Sequence, residues 1–142
     1  MSEPRPRVGV LLAHGDMAAG IVDAVRAITG VDEDVLFPLS NRGKNPESLA
    51  QAVRELVAGR PALLFTDLQS GSCGIAARRL AHELPELLVI SGVNLPVLLE
   101  FVLHREKSLE ELVPRLLDKG RAGIGCSPTN MKAHGSPAVS DR

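Results

Sequence analysis

Short, unbroken apolar runs constrain this chain more than any other feature of its sequence. Val8-Gly-Val-Leu-Leu-Ala13 and Pro61-Ala-Leu-Leu-Phe-Thr66 show no alternation of polar and apolar residues. A strand built from either run must be covered on both faces, which is the signature of a parallel sheet between helical layers. Helical patterns separate the runs. A helix is expected from Met17 to about Ile28, with Gly30 ending it. Asp34 to Leu39 reads as a second strand, and Ser40 to Asn45 as a loop. Asn45 is placed to cap a helix opened by Pro46 that stops at Gly59. A third strand ends at Thr66, and the loop Asp67 to Ser72 leads into a helix through about Leu84. Leu87 to Ser91 is a fourth strand, followed by a helix from about Leu95 to His104. Ser108 and Glu111 form a capping-box pattern for a last helix closed by Gly120.

Strands alternating with helices predict one doubly wound α/β domain over residues 1–126, with a mainly parallel sheet. From Ser127 to Arg142 the residues are mostly Pro, Gly, Ser, Asn and charged types, and this tail reads as disordered. Composition excludes several functions. Aromatic residues make up 2% of the chain, so the core must be aliphatic and bases have little to stack on. A net charge of −1 offers no footprint for nucleic acid or for an acidic membrane. The run from Val8 is too short to span a bilayer, and no apolar signal segment follows Met1 to Arg7. A cytoplasmic protein is expected. Cys73 and Cys126 make no disulfide framework and read as reduced, buried thiols. No Cys/His spacing suggests a metal and no Gly-rich strand-to-helix turn suggests a nucleotide, so neither metal nor cofactor is expected.

In sheets of this kind ligands bind beyond the carboxyl ends of the strands, at the switch point. Strand one ends in His14-Gly15-Asp16, and strand three ends in Asp67-Leu-Gln-Ser70-Gly71-Ser72. Strand four ends in Ser91-Gly-Val-Asn94. In the strand order 2-1-3-4, strands one and three are neighbours, and His14 faces Asp67 across one crevice. A carboxylate accepting Nδ1–H fixes the tautomer and leaves Nε2 as nucleophile. Gly15 lets an anion approach, two helix N-termini favour negative charge, and Ser70, Gly71 and Ser72 offer hydroxyls and amides. This set suits a phosphohistidine. Taken singly, each residue also has an ordinary structural role: a loop histidine, an aspartate in a turn, a serine N-cap. Cys73 and Arg79 have the Cys-x5-Arg spacing of thiol-dependent phosphatases, but the intervening residues look helical. A receiver domain would need paired acids after strand one, where this chain has His14.

Three segments resemble the mannose-family IIA domain of the bacterial phosphoenolpyruvate-dependent sugar phosphotransferase system. They are His14-Gly15 with Ala18-Ala19, Asp67 with Gly71-Ser72, and Gly92-Val-Asn94-Leu-Pro96-Val-Leu-Leu-Glu100. The similarity runs from about Val8 to Cys126. It implies that His14 is phosphorylated by the phosphocarrier HPr and discharged to a separate IIB domain. It also implies that Asp67 is the active-site aspartate, that Ser72 lies in the phosphate-binding loop, and that Asn94 shapes the site. The family is homodimeric, and the resemblance makes Ala122 to Cys126 an antiparallel strand packed on the partner subunit. Membrane contact would be indirect, through a transporter complex. The loop Leu68-Gln-Ser-Gly-Ser-Cys73 departs from the Thr-Trp-Gly-Gly-Ser-Pro common in the family. Two alternatives keep His14 but change its purpose: a regulatory phosphocarrier, or a phosphodonor for a dihydroxyacetone kinase.

Overall fold

The computed structural model describes residues 6–128. Four strands, β1 (Val8–Ala13), β2 (Leu36–Ser40), β3 (Ala62–Thr66) and β4 (Leu88–Ser91), form one sheet in the order β2-β1-β3-β4. All three pairings are parallel. Five helices accompany them: α1 (Met17–Thr29), α2 (Pro46–Val57), α3 (Gly71–Glu83), α4 (Leu95–His104) and α5 (Leu109–Ala122).

The unbroken apolar runs have the expected cause. Every residue of β1 and of β3 is buried. Alternate side chains enter two separate cores, because successive Cβ atoms point to opposite faces of a strand. Leu11, Ala13, Leu63 and Phe65 pack with α1, α4 and α5. Val8, Val10, Leu12 and Leu64 pack with α2 and α3. Phe65 meets Phe101 edge to face, with ring centroids 5.2 Å apart. Pro38 is tolerated because β2 is an edge strand, where a missing N–H costs no ladder bond.

The helix boundaries follow local chemistry. Gly30 ends α1 in the left-handed conformation. Asn45 and Ser48 close a capping box at the start of α2. The Ser108 hydroxyl accepts the Glu111 N–H at the start of α5. Helix α5 runs two residues past the expected stop at Gly120. Gly120 packs against Val97, and an added Cβ there would lie 2.4 Å from the valine side chain. This glycine therefore serves close packing of α5 on α4 instead of helix termination.

Two expectations need correction. Ala122–Cys126 forms no strand: Ala122 closes α5, and residues 123–126 carry no sheet pairing. Among the described residues the segment pairs with neither open edge of the sheet, β2 or β4. Cys126 is exposed, whereas Cys73 is buried as expected. Of the tail expected to be disordered, residues 129–142 lie outside the described residues. Among the described residues no helix is long and apolar enough to cross a membrane.

Candidate functional site

Register brings the candidate residues together. Leu12 of β1 pairs with Thr66 of β3, so both strands deliver their next residues to the same edge. Beyond that edge, one carboxylate oxygen of Asp67 binds His14 twice. Asp67 Oδ2 accepts the His14 backbone N–H at 2.9 Å and lies 2.8 Å from Nδ1. Its other oxygen accepts the Leu68 N–H at 2.9 Å. The Asp67 side chain is 8% exposed and that of His14 is 40% exposed. Burial pushes the Asp67 carboxyl up, but the His14 amide, the imidazole and the Leu68 amide outweigh it and hold the group below its ordinary range. An ionised Asp67 can only accept, so Nδ1 carries a proton, and in the neutral ring that leaves the lone pair on Nε2.

Nε2 faces the loop after β3. Gly71 has φ of +78°, and a Cβ built on it would stand 3.4 Å from Nε2. The backbone at the start of α3 therefore lies directly against the free nitrogen. Ser70 is the N-cap residue of α3, and its side chain makes no capping bond. The alternative role of Ser72 as an N-cap falls to Ser70, and Ser72 is the second residue of α3. The first N–H groups of a helix have no partner within it, so this terminus presents donors beside Nε2.

Gly15 is held from the other side. It has φ of +61°. Its N–H donates to Asn41 Oδ1 at 3.1 Å, and its carbonyl accepts the Ser40 hydroxyl at 2.9 Å. The end of β2 thus fixes the turn that carries His14 into α1. Arg42 bonds Asp16 at 2.5 Å on the open surface. Asn94 acts as a helix cap. Its Oδ1 accepts the Val97 N–H at 3.1 Å, and its Nδ2 donates to the Gly120 carbonyl at 2.9 Å. That side chain joins α4 to α5.

The structure also brings to the site residues that the sequence did not place beside His14. Cys73 Sγ lies 3.9 Å from His14 Nδ1, although the sequence placed it well past the strand end. The first turn of α3 folds back under the imidazole and brings it there. Gly74 carries the Gln69 carbonyl so closely that an added Cβ would lie 2.0 Å from that oxygen. Arg78 donates to the same carbonyl at 2.6 Å. Together they hold the loop 68–72 against His14. Asn41 gave no signal of its own, because it reads as ordinary turn chemistry.

The thiol-phosphatase reading fails on this geometry. Burial first, and the Asp67 charge second, push the Cys73 thiol up to about 11. At neutral pH such a thiol is protonated and a poor nucleophile. Cys73 and Arg79 lie on one regular helix, six residues apart. That spacing turns them about 120° from each other, so no loop wraps an anion between them.

The family model described as PTS system fructose IIA component matches residues 9–116. The sorbose-specific EIIA component of Klebsiella pneumoniae is 33% identical over 96 residues, covering 66% of this chain and 70% of that protein. The mannose-specific EIIAB component of Escherichia coli (strain K12) is 29% identical over 121 residues, 81% of this chain. The chain spans only 38% of that longer relative. Among solved structures, phosphotransferase system component EIIA from Streptococcus agalactiae superposes with a TM-score of 0.75 at 26% identity, over 82% of this chain and 94% of that one. The Enterococcus faecalis mannose/sorbose IIA subunit shares the fold, with a TM-score of 0.71 at 23% identity. By its sequence match and its parallel four-stranded fold, the chain belongs to the mannose-type EIIA family of sugar phosphotransferase system components.

Proposed function

We propose that this protein is a phosphoryl carrier that accepts phosphate from phospho-HPr on His14 Nε2 and passes it to a IIB domain. One observation carries the reading: Asp67 occupies Nδ1 at 2.8 Å while Nε2 stays free against the backbone of Gly71. In the transfer, the Nε2 lone pair forms a bond to phosphorus as the donor's phosphorus–nitrogen bond breaks. The proton on Nδ1 stays in place. Asp67 offsets the positive charge that develops on the ring, from the side away from the phosphoryl oxygens. Amides at the start of α3, with the hydroxyls of Ser70 and Ser72, stabilise those oxygens. Gly15 and Gly71 keep the approach clear of side chains. The chemistry calls for no cofactor.

A homodimer fits the same reading. Ile124 is 79% exposed in the segment that resembles the family's exchanged strand. Pairing with a second copy would cover it. A cytoplasmic location, beside a transporter complex, follows from the same assignment.

Incubation with phosphoenolpyruvate, enzyme I and HPr tests the carrier reading. The wild type should take up one acid-labile, base-stable phosphate, and His14→Ala should take up none. Label retained in His14→Ala would refute it. Addition of a IIB domain should discharge the labelled protein.

A further inference from the structure

His14, Asp67 and Cys73 offer one ligand atom each from three different elements of the fold, and these atoms all lie within 4.8 Å of one another. The imidazole follows β1, the carboxylate follows β3, and the thiol sits in the first turn of α3. We propose that these three side chains form a binding site for a thiolate-preferring divalent ion of the zinc class, and that the bound ion blocks phosphorylation of His14. The second half of this proposal rests on the carrier function proposed above; the first half does not.

Distances support the site. Zinc bonds of about 2.0–2.3 Å in tetrahedral array place nitrogen about 3.3 Å from oxygen and about 3.6 Å from sulfur. Here Nδ1 lies 2.8 Å from Asp67 Oδ2 and 3.9 Å from Cys73 Sγ. Shifts of about half an ångström bring those two pairs to the ideal values, and the oxygen–sulfur pair, which lies within 4.8 Å, closes by at most about 1.2 Å. The chemistry of the donors agrees, since imidazole, thiolate and carboxylate are the three ligand types that zinc takes. Charge closes as well. The ion displaces the proton on Nδ1 and the proton on Sγ, which pass to solvent. A doubly positive ion with one carboxylate and one thiolate then leaves no net charge in a pocket where Cys73 is fully buried and Asp67 nearly so. The partly exposed His14 ring is the side from which the ion enters, and where water completes the coordination.

A filled site is incompatible with the carrier chemistry. The ion would hold Nδ1 and draw electron density from the ring, which makes Nε2 a poor nucleophile. It would also take Asp67 away from the imidazole, so nothing would offset the charge that forms on phosphorylation.

Cobalt titration tests the binding half. The protein used is reduced Cys126→Ser, in which Cys73 is the remaining thiol of the chain's two cysteines. One equivalent of Co2+ should bind and produce a near-ultraviolet thiolate-to-cobalt absorption, and Zn2+ should displace it. Cys73→Ser on the same background should lose that absorption and bind at least roughly tenfold more weakly. Absence of the absorption in the parent protein overturns the site, whether or not the second variant folds. Uptake of label from purified phospho-HPr, free of enzyme I, tests the blocking half. Uptake should fall in proportion to Zn2+ occupancy and return on chelation. Full uptake by the metal-loaded protein overturns the block. No uptake by metal-free protein refutes the carrier function and leaves the cobalt result standing.

Discussion

Replacing Gly74 by alanine should destabilise the protein, although the same change in a helix interior ordinarily stabilises it. Gly20, in α1, provides the reference. A Cβ built on Gly20 has no heavy atom within 4 Å, so Gly20→Ala gains helix propensity and loses nothing. That gain is about 0.5–1 kcal/mol. In Gly74→Ala the same gain opposes a collision. The new methyl would lie 2.0 Å from the Gln69 carbonyl oxygen and 2.4 Å from its carbon, and both are backbone atoms that cannot rotate away. Relief requires a movement of more than about 1 Å in the loop, against the hydrogen bond that Arg78 makes to that carbonyl. Overpacking of this kind costs about 1–3 kcal/mol, and the lost charge-assisted bond adds about 1.5 kcal/mol. After subtracting the helix gain, the net loss is about 1.5–4 kcal/mol. Melting temperature should fall by about 5–12 °C for Gly74→Ala and rise by about 1.5–3 °C for Gly20→Ala, at roughly 3 °C per kcal/mol for a chain of this size. Thermal unfolding followed by far-ultraviolet circular dichroism reads both. Phosphate uptake at 15 °C, where both variants are folded, should drop only in Gly74→Ala, because the moved loop is the one against Nε2. Equal or greater stability of Gly74→Ala would refute the inferred rigidity of the Gln69 carbonyl.

Asp67→Asn should slow phosphate uptake at least tenfold while leaving the far-ultraviolet spectrum unchanged; a wild-type rate would reduce Asp67 to a turn residue. Because Asp67 is held below its ordinary carboxyl range in the folded protein, its contribution to stability is complete above the unfolded-state value of about 4 and is lost as pH falls through the lower folded value. Wild type and Asp67→Asn should therefore converge in stability in strong acid, as denaturant titrations across that range would reveal. Arg115→Ala should cost about 1–2 kcal/mol, since it leaves the 9%-exposed Glu100 carboxylate paired with His104 alone among the described residues, whereas Arg42→Ala should cost almost nothing, its pair with Asp16 being open to water. Urea midpoints of the two variants make that comparison. In Cys126→Ser, a thiol-alkylating reagent should modify Cys73 only on unfolding, given its complete burial; rapid labelling of the native protein would show that the first turn of α3 opens.

The fold was legible in the sequence because each strand and helix is written locally. Six apolar residues without alternation have one economical use, a strand covered on both faces, and Val8–Ala13 has that role. Asn45, Pro46 and Ser108 mark helix starts through bonds that span only three or four residues. The pairing of His14 with Asp67 was legible too, since sheet order places the ends of strands one and three side by side. The role of Gly120 was hidden because it depends on a contact between residues distant in sequence. Gly120 looks like a helix stop until α4 is seen packed on it. Ala122–Cys126 continues α5 into a turn and pairs with neither β2 nor β4.

Sequence alone therefore determined the alternating architecture and the two strand-end residues, His14 and Asp67, that face each other. Only the tertiary structure decided that the first turn of α3 folds under the imidazole, placing Cys73 at 3.9 Å from Nδ1 and Gly71 against Nε2. The reason is geometric. Strand register is set by a repeating pattern that the sequence reveals, whereas the path from Thr66 to Gly74 depends on the close contact of Gln69 with Gly74 and the Arg78 bond to the same carbonyl, which no local pattern announces.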